Sequence, residues 1–222
     1  MKRRKKRAKQ GEPQRVTKAV THIPLQATNA SKLSALDHLG QVYLALCQQY
    51  VTLFCTNEFP DSFRAPCFPT QLSERWQRVA MQQAAGIAKS WRSNRANAYH
   101  DYLDALAEYQ EQEAEGTLQA EAKEPHWREW NVPILEQTCI QANANVVKLE
   151  VAQDSTFDYW LTISTLAFRK PLLVPVKLAD YHLETLTDPK TGKCRPINGS
   201  VVLNKRDGTW WLTLSYDEMV MI

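Results

Sequence analysis

The spacing of apolar residues changes partway along this 222-residue chain, and the change limits the folds open to it. Helical spacing of leucine, tyrosine and cysteine over Leu33–Phe54 predicts a well-buried helix from residue 31 to residue 55. From Asn131 onward, short β-rich stretches alternate with turn residues, as in antiparallel strands. The chain is therefore expected to adopt an α+β fold.

The second half of the chain contains a series of strand candidates. They are residues 137–141, 146–151, 157–165, 172–178, 200–203 and 209–216, with a short helix at 179–186. Asp207-Gly208 indicates a hairpin turn between the last two strands. A further strand at 15–25 precedes the helices, and Pro24 ends it or confines it to an edge. Short strands at regular spacing predict a small antiparallel barrel or sandwich, which the N-terminal strand can complete.

Charge is distributed unevenly along the chain. Residues 1–18 hold nine Lys or Arg and only Glu12 as an acid, a net charge of +8. The remaining residues hold 18 basic and 23 acidic side chains, a net charge of −5. A basic arm on a mildly acidic body is typical of nucleic-acid binding, and a solvated tail is the alternative interpretation.

A second concentration of positive charge lies on the helix that follows Thr70 or Ser73, either of which can cap it. At 100° per residue, four basic side chains fall within about 60° of one another. We call these residues the basic stripe: Arg75, Arg78, Lys89 and Arg92. The opposite, apolar face is expected to carry Trp76, Ala80, Gln83, Ala84, Ile87 and Trp91. A stripe of one sign favours phosphate contact over an ordinary solvated face.

From Tyr99 to Ala122 the chain is strongly acidic. A helix is expected to continue to about Gln112 and to be followed by a flexible linker around Gly116. This acidic stretch would repel a phosphate backbone. It is therefore expected either to face away from nucleic acid or to be a dispensable insertion.

Sequence signatures of catalysis are absent. The chain has no phosphate-binding glycine loop, no G-x-G-x-x-G, no H-E-x-x-H and no G-x-S-x-G. Five cysteines without a C-x-x-C pair predict thiols in a reducing cytosol rather than a zinc site. No apolar stretch is long enough for a membrane span, and the basic N-terminus lacks the apolar region of a signal peptide.

The order of elements resembles the N-terminal half of transposon-encoded TnpB proteins and of the related type V CRISPR effector nucleases. In that family an oligonucleotide-binding wedge barrel is interrupted by a helical recognition lobe. The stretches that carry the resemblance are Val16–Leu25, Leu33–Phe54, Arg75–Arg92, Leu172–Leu178 and Gly208–Asp217, the last reading GTWWLTLSYD. They span most of residues 15–218.

The resemblance implies an OB-like wedge barrel from residues 15–28 and 131–222. It also implies an inserted helical recognition lobe at 29–124, with an acidic linker near 113–124, and a flexible basic arm at 1–14. The expected partners are a guide RNA and target DNA in a prokaryotic cytoplasm, with no membrane. The family continues into a RuvC nuclease domain, for which this chain offers no catalytic aspartate. Cleavage, and the magnesium it would use, are expected only with a RuvC-bearing polypeptide, and a second copy is another possible partner.

Basic side chains are the candidates for nucleic-acid contact. They are Lys5, Lys6, Arg7, Arg15, Lys18, Arg75, Arg78, Lys89, Arg92, Arg95, Lys170, Lys177, Lys205 and Arg206. Trp210 or Trp211 is a candidate for stacking on an unpaired base, although on a strand only one of them can face the core. Three alternatives stay open: an enzyme completed by a separate nuclease chain, a DNA-binding or scaffolding protein of a mobile element without guide RNA, and an interaction protein whose tail is incidental.

Overall fold

A computed structural model describes residues 13–26, 28–57, 66–119, 121–167, 169–188 and 195–221. The fold is α+β with antiparallel sheets, as predicted. Its elements are β1 (Pro13–Pro24), α1 (Ala30–Thr56), α2 (Glu74–Ala114), β2 (Cys139–Ala142), β3 (Val147–Val151), β4 (Tyr159–Ile163), β5 (Leu172–Val176), α3 (Asp180–Leu186), β6 (Ile197–Arg206) and β7 (Thr209–Met221). The predicted elements are confirmed within a few residues at their ends, because local periodicity and turn residues specify them.

The chain divides into two compact units. The first, which we call the β unit, comprises Met1–Leu44, Pro69–Val79 and Glu136–Ile222. The second, the helical unit, comprises Ala45–Phe68 and Ala80–Leu135. Each long helix therefore contributes residues to both units.

The strands of the β unit form two open sheets rather than a closed barrel. The described residues give a four-stranded sheet in the order β1-β7-β6-β2 and a three-stranded sheet in the order β3-β4-β5. The separation arises after β2, where the carbonyl oxygen of Asn143 accepts hydrogen bonds from the backbone N–H groups of Val146 and Val147. This turn directs β3 to pair with β4 instead of continuing along β6. The described strands thus do not close into the expected barrel.

The N-terminal strand belongs to the same sheet as the two C-terminal strands. β1 pairs antiparallel with β7, and β6 pairs with β7 through a two-residue turn. Both turn residues, Asp207 and Gly208, have positive φ angles, 49° and 76°. This is the geometry of the hairpin turn that the Asp-Gly sequence predicts.

A bulge interrupts β1 between Val20 and Ile23, and His22 there has a φ of 62°. The bulge turns the carbonyl of Thr21 out of the ladder, where the Nε2 atom of buried His182 lies 3.1 Å from it. The other ring nitrogen, Nδ1, accepts a hydrogen bond from the backbone N–H of Ala179 at 3.3 Å. Both nitrogens are thereby used by a neutral imidazole, and burial lowers the pKa of His182.

The first part of α1 packs closely on β7. The indole of Trp210 is 2% exposed and donates a hydrogen bond of 2.7 Å to the carboxylate of Asp37. Gly40 allows this approach, since a Cβ atom there would lie 3.0 Å from both Trp210 and Thr138. Trp210 is therefore a core residue. Trp211 is half-buried, with its ring edge-to-face against that of His22.

Candidate nucleic-acid interface

The basic residues of β1 are held in ion pairs. Arg15 pairs with Asp217 on β7, and Thr17 donates a hydrogen bond of 2.6 Å to the same carboxylate. Lys18 pairs with Glu218. The carboxylates thus offset much of the positive charge that the sequence assigns to this strand. Lys5, Lys6, Arg7 and most of the arm at 1–14 lie outside the described residues.

These ion pairs hold both carboxylates in the charged form. The side chain of Arg15 and then that of Thr17 lower the pKa of Asp217 to about 2. Lys18, followed by Arg195 at 2.6 Å, lowers the pKa of Glu218 to about 2. The cluster links β1 to β7 and ties Arg195, which lies two residues before β6, to the same sheet.

Three further candidates of the β unit also face acids. The N–O distances are 2.7 Å for Lys205 and Asp37, 3.4 Å for Lys177 and Asp158, and 3.7 Å for Arg78 and Glu74. The first turn of the basic stripe is therefore less uniformly positive than the wheel predicts. By contrast, Arg75, Lys170 and Arg206 are exposed and make no ion pair among the residues described.

In the helical unit, Arg92 binds backbone rather than facing solvent. It is half-buried, and its Nη2 atom donates to the carbonyl oxygens of Phe54 and of Asn57, the latter at 2.5 Å. These oxygens lie at the C-terminal end of α1, where carbonyls lack helical partners and a cation is favoured. Lys89 is exposed on the same helix and has no ion pair within the described ranges. One of the two stripe cations in this unit thus stabilises the fold.

Arg95 lies beside aromatic rings. Its guanidinium carbon is 5.8 Å from the ring centroid of Trp91, a cation–π distance. Trp91 was expected to be buried in the apolar face, but it is only half-buried. Its indole donates a hydrogen bond of 2.9 Å to the carbonyl of Asn131, which anchors the segment returning along α2.

That returning segment, residues 121–135, has no helix or strand, yet it is fixed at several points within the helical unit. Gln48 of α1 donates to the carbonyl of Pro133 at 3.0 Å and accepts from the N–H of Leu135 at 2.7 Å. The ring of Trp127 contacts two tyrosines of α2, with centroid distances of 5.0 Å to Tyr99 and 5.9 Å to Tyr102. Trp127 is thereby held against the helix.

Arg92, Arg95, Ala96, Tyr99 and Trp127 line a cavity of about 420 Å³, which we call the arginine–aromatic groove. The four α2 residues share one helix face because they are spaced three, four and seven apart. Tyr99 is 45% exposed, so its ring is open to a ligand. Aromatic rings stack on unpaired bases, and a guanidinium can pair with phosphate or stack on a base. The groove therefore combines aromatic ring surface with guanidinium groups.

The sequence predicts only part of this groove. Arg92 and Arg95 are among the sequence candidates, whereas Tyr99 begins the acidic stretch and Trp127 belongs to no predicted element. Tyr99 could have been found from its helical spacing to the two arginines. Trp127 could not, since it lies 28 residues further along in a segment without periodicity.

Across the described ranges, no three His, Cys, Asp or Glu side chains are grouped to hold a metal ion. Cys47, Cys55, Cys67 and Cys139 are thiols, and burial raises the pKa of Cys55 and Cys139. No helix in the described part of the chain is both long enough and apolar enough to cross a bilayer. Comparison with protein-family models and with curated proteins gave no match.

Proposed function

We propose that this protein binds nucleic acid as the guide-RNA and target-DNA binding portion of an RNA-guided, TnpB-like or type V CRISPR effector. In this proposal the β unit corresponds to an OB-like wedge in open form, and the helices correspond to an inserted recognition lobe. Cleavage belongs to a RuvC domain on another polypeptide, which would bring its own magnesium. The resemblance in sequence supplies this role, while the arginine–aromatic groove is the observation that carries nucleic-acid binding.

The groove favours unpaired nucleotides over a duplex. Tyr99 is 45% exposed, and the rings of Tyr99 and Trp127 meet edge-to-face, so a base entering the groove meets two aromatic rings held against the helix. Arg95 supplies a cation that no described carboxylate neutralises. A base-paired nucleotide cannot present its face to such a wall, because its neighbours in the stack cover it. The proposed ligand is thus a single-stranded part of the guide RNA.

Acidic residues limit where such a strand can run. Asp101, Asp104 and Glu108 are exposed on the turns of α2 that follow Tyr99. Their charges repel phosphates, so the strand is expected to leave the groove toward the N-terminal half of α2, where Lys89 is exposed. This gives the proposed binding a direction along the helix.

Fluorescence anisotropy with labelled RNA tests the proposal. Trp127→Ala is expected to weaken binding of single-stranded RNA about 5- to 150-fold, the value of losing one stacked base. Trp130→Ala is the matched control, since Trp130 is 38% exposed three residues away and lies outside the groove. Equal affinities of the two variants would remove the groove from the proposal.

The salt dependence of RNA affinity separates the contribution of charge from that of stacking. Arg95→Gln should reduce the slope of log affinity against log salt by about 0.7, the value for one phosphate on a single strand. Lys123→Gln, at an exposed position outside the groove, is the charge-matched control and should leave the slope nearly unchanged. An identical slope for the wild type and Arg95→Gln would show that Arg95 does not contact phosphate.

The guided role needs its own test. RNA that co-purifies with the protein from its native host is sequenced, and a single structured RNA encoded beside the gene is the expected result. Duplex DNA bound more tightly than single-stranded RNA, with no discrete RNA recovered, would instead favour a DNA-binding or scaffolding protein of a mobile element.

A further inference from the structure

The outer edge of β3 carries backbone groups that the described residues do not pair. The N–H of Ser164 donates to the carbonyl of Val146, and the N–H of Ala152 donates to that of Asp158. Even-numbered residues of this stretch therefore form the hydrogen bonds to β4, because an antiparallel ladder alternates. The N–H and C=O groups of Leu149 and Val151 consequently point away from β4.

These groups border a cavity of the β unit. All five residues of β3, with Ala144, Tyr159 and residues 195–199, line a space of about 500 Å³. β6 pairs with β2 only over Val201–Asn204, so its first residues have no strand beside them on that side among the described parts of the chain. Two strand edges, each unpaired on this side among the described residues, thus lie along one groove.

We propose that this groove binds an extended peptide segment of a partner protein, which pairs with β3 as an added strand. Unpaired N–H and C=O groups at strand spacing recognise another peptide backbone, and nucleic acid does not repeat that pattern. Apolar side chains of the peptide would cover Val151, which is 69% exposed, and Leu149, which is half-buried. The inference stands independently of the nucleic-acid function.

The charges on β3 specify the peptide further. Lys148 and Glu150 are exposed, and neither makes an ion pair in the described part of the chain. In an antiparallel added strand, the residues opposite them occupy the non-hydrogen-bonded positions, where side chains approach most closely. The preferred peptide has an acid opposite Lys148, a base opposite Glu150 and apolar residues between and beside them.

The sequence of β3 itself, VKLEV, meets this requirement when it runs antiparallel to β3 with leucine opposite Leu149. A fluorescein-labelled peptide with the sequence of residues 146–152 is therefore the probe, titrated with the full chain and followed by anisotropy. N-methylation of its central leucine removes the N–H that would face β3 and should abolish binding. Equal binding of the methylated and unmethylated peptides would overturn the proposal.

A charge exchange tests the register. A peptide with the lysine and glutamate interchanged should bind about fivefold more weakly, since like charges then lie opposite each other. The double variant Lys148→Glu/Glu150→Lys should reverse the preference, and its exposed positions leave the fold unchanged. Failure to reverse the preference, or displacement of the peptide by single-stranded RNA, would contradict a peptide groove at β3.

Discussion

Replacing Gly40 with alanine tests the close packing of α1 on β7. Alanine is favoured over glycine inside a helix by about 1 kcal/mol, so a change without contacts should stabilise the protein. At Gly40 the added methyl group would lie 3.0 Å from carbons of Thr138 and Trp210. Ordinary carbon–carbon contacts are about 3.5–4.0 Å, so the neighbours must move by several tenths of an ångström.

Trp210 has little freedom to move. Its ring is buried, and its indole nitrogen is 2.7 Å from the carboxylate of Asp37. Overpacking of this kind usually costs about 1–3 kcal/mol, which equals or exceeds the gain in helix propensity. Gly86 is the matched control, because a methyl group there meets no atom within 4 Å. Gly40→Ala is thus expected to be about 1–3 kcal/mol less stable than Gly86→Ala.

Urea unfolding followed by far-ultraviolet circular dichroism and by tryptophan fluorescence measures both variants. The two probes are needed because two compact units need not unfold together. Trp210→Phe provides the coupling test, since the shorter ring should relieve the contact and make Gly40→Ala less costly in that background. If Gly40→Ala stabilised the protein as much as Gly86→Ala, the close approach of α1 to Trp210 would be refuted.

Two predictions concern acid pH. The pKa values of Asp217 and Glu218, about 2 against ordinary values of 3.8 and 4.5, mean that their stabilisation is present above pH 4.5 and is lost as pH falls toward 2. Asp217→Asn should flatten the fall of unfolding free energy over this range, whereas Asp101→Asn, at an exposed carboxylate, should not. Equal slopes of unfolding free energy against pH for the two variants would contradict the ion-pair cluster. The lowered pKa of His182 gives a stabilisation that is complete above its ordinary value of 6.5 and declines below it, because the unfolded chain binds the proton more readily. His182→Ala should remove that decline. It should also cost about 1–3 kcal/mol at neutral pH by leaving the Thr21 carbonyl without its buried partner. If the urea unfolding profile of the wild type did not change between pH 5 and pH 7, the imidazole would not be held neutral.

Local sequence determined the elements of this protein well. The apolar period over Leu33–Phe54 places α1, and the Asp207-Gly208 turn places the final hairpin, because both signals involve residues close in sequence. That β1 joins a sheet of later strands was also predicted, since an isolated strand needs partners, but its pairing with β7 in particular was not.

Contacts between distant residues decided the rest. The Asn143 turn separates the strands into two sheets, and no periodic pattern reveals it. In the sequence, Arg15 and Lys18 are candidates for nucleic-acid contact. The register of β1 against β7, however, brings Asp217 and Glu218 beside them. A charge count cannot show this, because the net field at a cation depends on which carboxylates folding brings within a few ångströms.

The residues of the arginine–aromatic groove also fall into two groups, those placed by local sequence and those placed by tertiary contacts. Helix geometry alone places Arg92, Arg95 and Tyr99 on one face of α2. Trp127 joins them only because hydrogen bonds from Gln48 and Trp91 hold an irregular segment along the helices. Sequence specifies which side chains a helix presents, since that follows from a fixed rotation per residue. Tertiary structure decides which side chains lie opposite them. The path of a long irregular segment depends on contacts between residues distant in sequence, and such contacts leave no periodic pattern in the sequence.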